Sequence, residues 1–378
     1  MIMCILLLLY ACKEEEKGQY PVDDVAPAKV TAWVKENLPG GAVIIYDIPQ
    51  EEDALYVKAC YTLDDGTPME LKSSVYANSI TIVGIGRSRE LPVVLTVVDR
   101  SQNESEPVTV VTYPLDSPIY EIANSLNMEA AFGGIKLTWD NPEQTPIVID
   151  VFKPDKDARM TQIERFYSDT QNGKVNVRGQ ESLETTFSVT LHDRWGNTTD
   201  SKSGRYTPLF EQEIDKSKFR RWNPPGLPYM AQSTWPIEAA WDGSIAGTGF
   251  AGTVAYFTFD LGQVVKLSRF KINNRDEATL CYNHAMLRLF EIWGSITPDV
   301  TDNFDTWQFV GYFEVTKPSG LPLGQLSSED VQYAAVSGVD FDVEDCPFIR
   351  YLRFQAIETW GLNAGIQFRE LTFWGSVQ

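Results

Sequence analysis

Apolar and polar side chains alternate with a period of two along much of the chain, the pattern of strands half buried against a core. Leu55, Val57, Ala59 and Tyr61 fall on one side of such a pattern, with Tyr56, Lys58, Cys60 and Thr62 on the other. Phe187, Val189 and Leu191 repeat it ahead of a turn at Asp193–Asn197, which predicts a hairpin. From about Leu209 the pattern changes to a Trp-rich polar stretch followed by new strands. Thr258–Gly262 ends one, Leu267–Ile272 begins the next, and Phe290–Ser295, Trp307–Val310, Ile349–Phe354 and Arg369–Gly375 follow. The 21 Pro and 26 Gly spread along the chain punctuate it with turns and favour β architecture. A length of 378 residues exceeds one compact core and fits two or three domains.

Self-comparison exposes a duplication. Gly40–Pro49 matches Gly133–Pro142, and Asp99–Ser105 matches Asp193–Thr199 at nearly the same offset. Two tandem modules follow, each of a size usual for β-sandwiches. In each, the Gly pair allows a tight entry into a strand, an aromatic (Tyr46 or Trp139) plugs the core, and Pro49 or Pro142 ends the pairing. These halves resemble fibronectin type III domains, and more closely the paired domains of that kind in surface lipoproteins of gut Bacteroidetes. The resemblance covers residues 22–115 and 116–208. Pro114, Asp116, Ser117 and Pro118 form a short stiff joint between them.

The start of the chain is different in kind. Met1–Ala11 is almost wholly apolar, with Ile5–Leu9 unbroken, and ends at Cys12. It is too short to span a bilayer and reads as a secretory signal. Leu9-Tyr10-Ala11-Cys12 resembles the bacterial lipobox, whose cysteine is diacylated, although Tyr10 departs from the usual small residue. Lys13–Lys17 then supplies a charged tether that cannot pack. In Bacteroidetes lipoproteins such an acidic run looks like a surface-export signal. Residues 1–21 are therefore expected to be signal and tether, with Cys12 the lipidated residue and the outer membrane, facing outward, the address.

Residues 209–378 resemble the discoidin or coagulation factor 5/8 type C domain, a jelly-roll shared with galactose-binding-type carbohydrate-binding modules. The Phe259-Asp260-Leu261-Gly262 turn, Gly294-Ser295 after an aromatic strand and the Arg350-Tyr351-Leu352-Arg353 strand carry that resemblance together. The expected architecture is all-β, two tandem sandwiches followed by a discoidin-like jelly-roll.

Charge and chemistry narrow the function. The formal charge is −20, from 52 acidic and 32 basic residues, scattered along the chain. A nucleic-acid surface needs clustered Lys and Arg, and the sequence has no such cluster. Only His192 and His284 are present, and no Gly-x-Ser-x-Gly elbow, zinc-type His pair or phosphate loop occurs. No catalytic residue is assigned. Cys60, Cys281 and Cys346 lie far apart and read as buried thiols, with a Cys281–Cys346 bridge as the alternative.

Sugar binding asks for aromatic faces and planar polar groups on loops. Three stretches offer them: Arg220–Trp235 with Trp222 and Tyr229, Asn273–His284 with Arg275, Tyr282 and His284, and Glu358–Asn363 with Trp360 and Asn363. Trp235 and Trp241 read as core, and Arg275 is open between a ligand and an ion pair. By the same resemblance Asp242 and Glu370 match positions that hold a structural Ca²⁺. The expectation is a non-catalytic surface lipoprotein that captures poly- or oligosaccharide for a polysaccharide-utilisation system. The alternatives are adhesion to a partner such as an outer-membrane transporter or neighbouring lipoprotein, and a glycoside hydrolase whose site the sequence does not reveal.

Overall fold

The structure is a computed structural model and describes residues 24–49, 51, 53–231, 233–252, 254–362 and 365–378. Cys12, the tether and Asn363 lie outside the described residues. The chain is all-β and multi-domain, as the alternation predicts. It divides into two compact units. One holds the first module and most of the second; the other holds the C-terminal sandwich together with residues 130–135 and 177–183.

In the first module a three-stranded sheet (Thr31–Leu38, Gly41–Asp47, Ser79–Ile82) covers a four-stranded one (Pro68–Ser74, Ala54–Thr62, Leu91–Asp99, Val108–Thr112). Ile44, Tyr46 and Ile82 from one sheet meet Val57, Ala59, Val93, Leu95 and Val97 from the other in a single core. The second module has a matching four-stranded sheet, Met160–Ser168, Ile147–Pro154, Thr185–His192 and Lys202–Tyr206. Ile147, Ile149, Val151, Phe187, Val189 and Leu191 are its buried apolar side chains.

The duplication holds at the level of atoms. Gly40 and Gly133 both take a left-handed φ, +69° and +66°, which glycine adopts without a Cβ penalty. A side chain on the next residue, Gly41 or Gly134, would run into the carbonyl oxygen of Ile82 or Val177 respectively. The turns repeat as well. Asp99 Oδ1 accepts the Asn103 amide N–H at 2.9 Å, and Asp193 Oδ1 accepts that of Asn197 at 3.1 Å. The Asn side chains then donate back to Asp99 Oδ2 at 3.0 Å and to Asp193 Oδ2 at 2.9 Å.

The two turns differ in what lies beyond them. Asn197 is buried and also donates through Nδ2 to the Gly84 carbonyl oxygen of the first module at 3.2 Å. A side chain at Gly84 would press on the Trp195 ring. The joint around Pro118 is fixed too, since Ser117 N donates to Gly86 O at 2.7 Å and Asp116 Oδ1 accepts from Ser88 N at 2.7 Å. Pro118 opens a short helix, Pro118–Ser125, whose Ile119 and Ile122 are buried.

The C-terminal sandwich packs an eight-stranded sheet and a three-stranded sheet, Met230–Ala231, Gly249–Gly252 and Ile366–Phe368. At the centre of the large sheet, Tyr256–Asn273 pairs with Ile349–Thr359 and Glu370–Val377, and Leu287–Ser295 and Gln308–Glu314 extend it. Phe257, Phe259, Phe270, Phe290, Phe354, Phe368 and Phe373 pack ring to ring inside. Cys281 and Cys346 sit buried in that core as free thiols, so the alternative of a bridge is not realised. Burial pushes both up to about 11.

Candidate ligand-binding site

The aromatic residues singled out in the sequence do not face one cleft. Trp222 packs its ring on Tyr351 at 5.2 Å and on Trp307 at 6.1 Å. Trp360 lies nine positions beyond Tyr351, just past the end of the strand Ile349–Thr359. At about 3.3 Å per residue the two indoles are separated by roughly 30 Å, at opposite ends of the sandwich. Trp222 is a packing residue whose partners are distant in sequence. Tyr229 is also core: it is 4 % exposed, and burial raises the pKa of its hydroxyl well above the ordinary tyrosine range.

Arg275 resolves as an ion pair, its Nε and Nη2 donating to Glu277 at 3.1 and 2.7 Å. Tyr282 is buried and donates its hydroxyl to Thr316 O at 2.9 Å. Its ring meets Trp360 edge-on at 5.0 Å, while the Arg288 guanidinium lies over the Trp360 ring at 5.1 Å. That indole therefore has a protein ring and a guanidinium as neighbours and is half-buried. His284 is exposed, and its carbonyl accepts from Gly361 N at 3.0 Å, which ties the second and third loops together. Any side chain at Gly361 would collide with the His284 backbone.

The end that these loops share has its own features. Tyr282, His284 and Leu362 adopt left-handed φ of 48°, 53° and 55°, three of the seven such non-glycine residues among the described ones. Backbone strain of this kind persists where surrounding structure enforces it and concentrates at binding sites. Beside them is an open hollow of about 220 Å³ lined by Ala255, Ala356, Ile357, Glu358, Thr359, Leu362 and Gly365. Ile357 is 54 % and Leu362 80 % exposed, so its apolar walls meet solvent. Glu358 is oriented by Arg288 Nη1 at 2.7 Å.

Gly365 connects this hollow to an aromatic cluster. A Cβ there would press on the Phe250 ring, and one at Gly252 would meet both Phe250 and the Met230 methyl, so the two glycines make room for those side chains. Trp235 stands edge-on to Phe250 at 6.4 Å and is 44 % exposed. Alternation of apolar neighbours marked Trp235 as core. The structure instead makes it the open indole of this end, and the turn-forming Ser233, Thr234 and Pro236 around it were the signal.

Asp242 and Glu370 come close together at another loop of the same sandwich. Burial, followed among the raising influences by the Asp242 charge, raises the pKa of Glu370. The Lys216 ammonium is seated on Glu370 Oε1 and donates to Thr372 Oγ1 at 2.7 Å, while Gly243 N donates to Glu370 Oε1 at 3.3 Å. Arg369 Nη1 takes the loop carbonyls of Ala246 and Gly247 at 2.7 and 3.2 Å. Glu370 Oε2 is buried without a partner. Two carboxylates, one of them bonded by the Lys216 ammonium, are fewer than the six to eight oxygens calcium takes, and the described residues hold no group of three His, Cys, Asp or Glu side chains that could hold a metal. A calcium ion here would need its remaining oxygens from loop carbonyls, two of which Arg369 already bonds.

Three domain families match in tandem, each described as a domain of unknown function: DUF4959 over residues 27–114, DUF5126 over 115–217 and DUF5000 over 237–375. No curated protein matches the chain. Among solved structures, a SusE-like protein is similar at 24% identity over 68% of this chain and 98% of its own, with a TM-score of 0.44. A putative chitobiase fragment from Bacteroides thetaiotaomicron is similar at 18% identity over 43% of this chain and 92% of its own, TM-score 0.30. A CBM32 module solved with GalNAc is similar at 12% identity over 43% of this chain and 94% of its own, TM-score 0.26. All three TM-scores are below 0.5, so no residue role passes from them to this chain.

Proposed function

We propose that this chain is a non-catalytic carbohydrate-binding protein whose C-terminal sandwich captures poly- or oligosaccharide at the Trp235 end. The observation that carries this reading is the open indole of Trp235, linked through the Phe250 ring to an apolar-walled hollow that Glu358 also lines. A pyranose has an apolar C–H face suited to such rings and hydroxyls suited to an oriented carboxylate. The test is a panel of plant, host and microbial glycans run against the full chain. Retention that disappears in Trp235→Ala but survives in Trp222→Ala supports the reading; a panel that retains nothing overturns it.

The same proposal places the chain on the outer membrane, facing outward, through a diacylated Cys12. The support is the apolar run ending at Cys12 and the charged stretch behind it. Mass spectrometry of the mature N-terminus, with Cys12→Ser as control, tests the anchor.

A second reading, docking to a protein such as an outer-membrane transporter or neighbouring lipoprotein, draws on the second module. There a hollow of about 550 Å³ is lined by Pro146, Val148, Tyr167 and His192, with Tyr167 75 % exposed. His192 Nε2 and Arg165 both engage Asp150 beside it, at 3.2 and 2.6 Å. Sugar-independent co-purification of a partner, lost in Tyr167→Asp, would favour this reading.

A further inference from the structure

The large sheet of the C-terminal sandwich turns Leu352, Phe354, Ala356, Phe290 and Ile292 inward. The residues between them on each strand therefore look outward. Pairing across four antiparallel strands lines up one outward row as Tyr256, Gln355, Glu291 and Tyr312. The next row is Thr258, Arg353, Trp293 and Phe309. Strand spacing makes the first row about 14 Å long.

The second row is partly roofed. Arg353 is 3 % exposed, between the Tyr256 ring at 4.7 Å and the Phe304 ring at 4.1 Å, and Phe304 also lies on Trp293 at 4.4 Å. The first row stays open at its far end, where Tyr312 is 53 % and the adjacent Phe309 51 % exposed. Its amide and carboxylate are both fixed, since Trp293 Nε1 donates to Glu291 Oε2 at 2.9 Å and Arg353 Nη2 to Gln355 Oε1 at 3.0 Å.

The row is continuous with the hollow. Ile357, two positions beyond Gln355 and so on the same outward side, is a wall of the hollow, and Ala255, which precedes Tyr256, is another. A ligand seated in the hollow thus leaves it directly onto the row. Charge selects among ligands. Arg288 neutralises Glu358, but Glu291 in the middle of the row is held by a neutral donor, the Trp293 indole N–H, and keeps its negative charge, which disfavours uronate or sulfate groups there.

Resting on the carbohydrate reading above, we infer that the site takes the interior of a neutral polysaccharide. The chain runs from the hollow past Gln355 and Glu291 to stack on Tyr312 and Phe309.

The experiment is calorimetry on the full chain with ladders of cello-, xylo-, manno- and galacto-oligosaccharides up to the hexasaccharide, alongside polygalacturonate and chondroitin sulfate. For the ladder that binds, affinity should climb with length. Tyr312→Ala should remove about tenfold from the hexasaccharide while leaving the disaccharide unchanged, and Trp235→Ala should weaken every member. Tyr312 is surface-exposed, and an unchanged melting temperature confirms that its variant folds. A disaccharide bound as tightly as the hexasaccharide, a ladder unaffected by Tyr312→Ala, or preference for the acidic polymers overturns the inference while leaving glycan binding in place. Binding of nothing removes both.

Discussion

Trp222 and Trp360, two indoles that sequence reading assigned to one site, cap opposite ends of the strand Ile349–Thr359. Trp222→Ala should therefore act on stability and not on ligand capture. It strips contacts from Trp307 and Tyr351, and truncating a packed aromatic costs about 3 kcal/mol. Urea unfolding should show a lower midpoint with an unchanged slope, and glycan retention should match the parent.

Lys216 serves as the counter-charge of a nearly buried carboxylate. Lys216→Met leaves Glu370 without it, and breaking a buried pair from one side costs about 3 kcal/mol or more. Lys216→Met/Glu370→Gln should recover much of that loss. EDTA should not shift the melting temperature of the parent protein; a rise on adding Ca²⁺ would show that the loop takes a metal after all.

Acid should loosen the loops around Arg275. Glu277 is held down to about 2, above all by its hydrogen bonds from Arg275, which outweigh the opposing effect of partial burial. A carboxylate lowered on folding contributes stability that is complete above its unfolded value of about 4.3 and lost as pH falls towards about 2. Urea midpoints measured from about pH 5 to about pH 2 should fall, and Glu277→Gln should flatten part of that slope.

Asn197→Ala removes the amide that bridges the Asp193 turn to Gly84. A buried carbonyl left without its donor costs about 1–3 kcal/mol. Hydrogen exchange on the full chain should show faster exchange at Gly86 and Arg87, whose amides bond Asp64 beside this contact. Unchanged exchange there would show that the bridge adds nothing.

What the sequence disclosed and what it hid divide along a physical line. Strand alternation and the paired Gly40-Gly41 and Gly133-Gly134 are local, because a left-handed φ or an obstructing carbonyl imposes itself on one or two residues. The Asp99 and Asp193 turns were legible for the same reason. Ring exposure is not local. Trp222 precedes Asn223-Pro224-Pro225 and looks like loop text, yet Tyr351 and Trp307 cover it from far along the chain. Arg275 had an acid two positions away as its partner, and the open choice fell to the nearer, stronger pair. The outward row from Tyr256 to Tyr312 draws one residue from each of four strands. It exists only in the register of the sheet.

The bond from Asn197 to Gly84 has a mechanical meaning. With that amide, the Trp195 ring and the Ser117 to Gly86 bond spanning their boundary, the two modules share load across a stitched seam. Tension along the chain must break that seam before either module can swing, so the pair behaves as a stiff strut and not as a hinged tether.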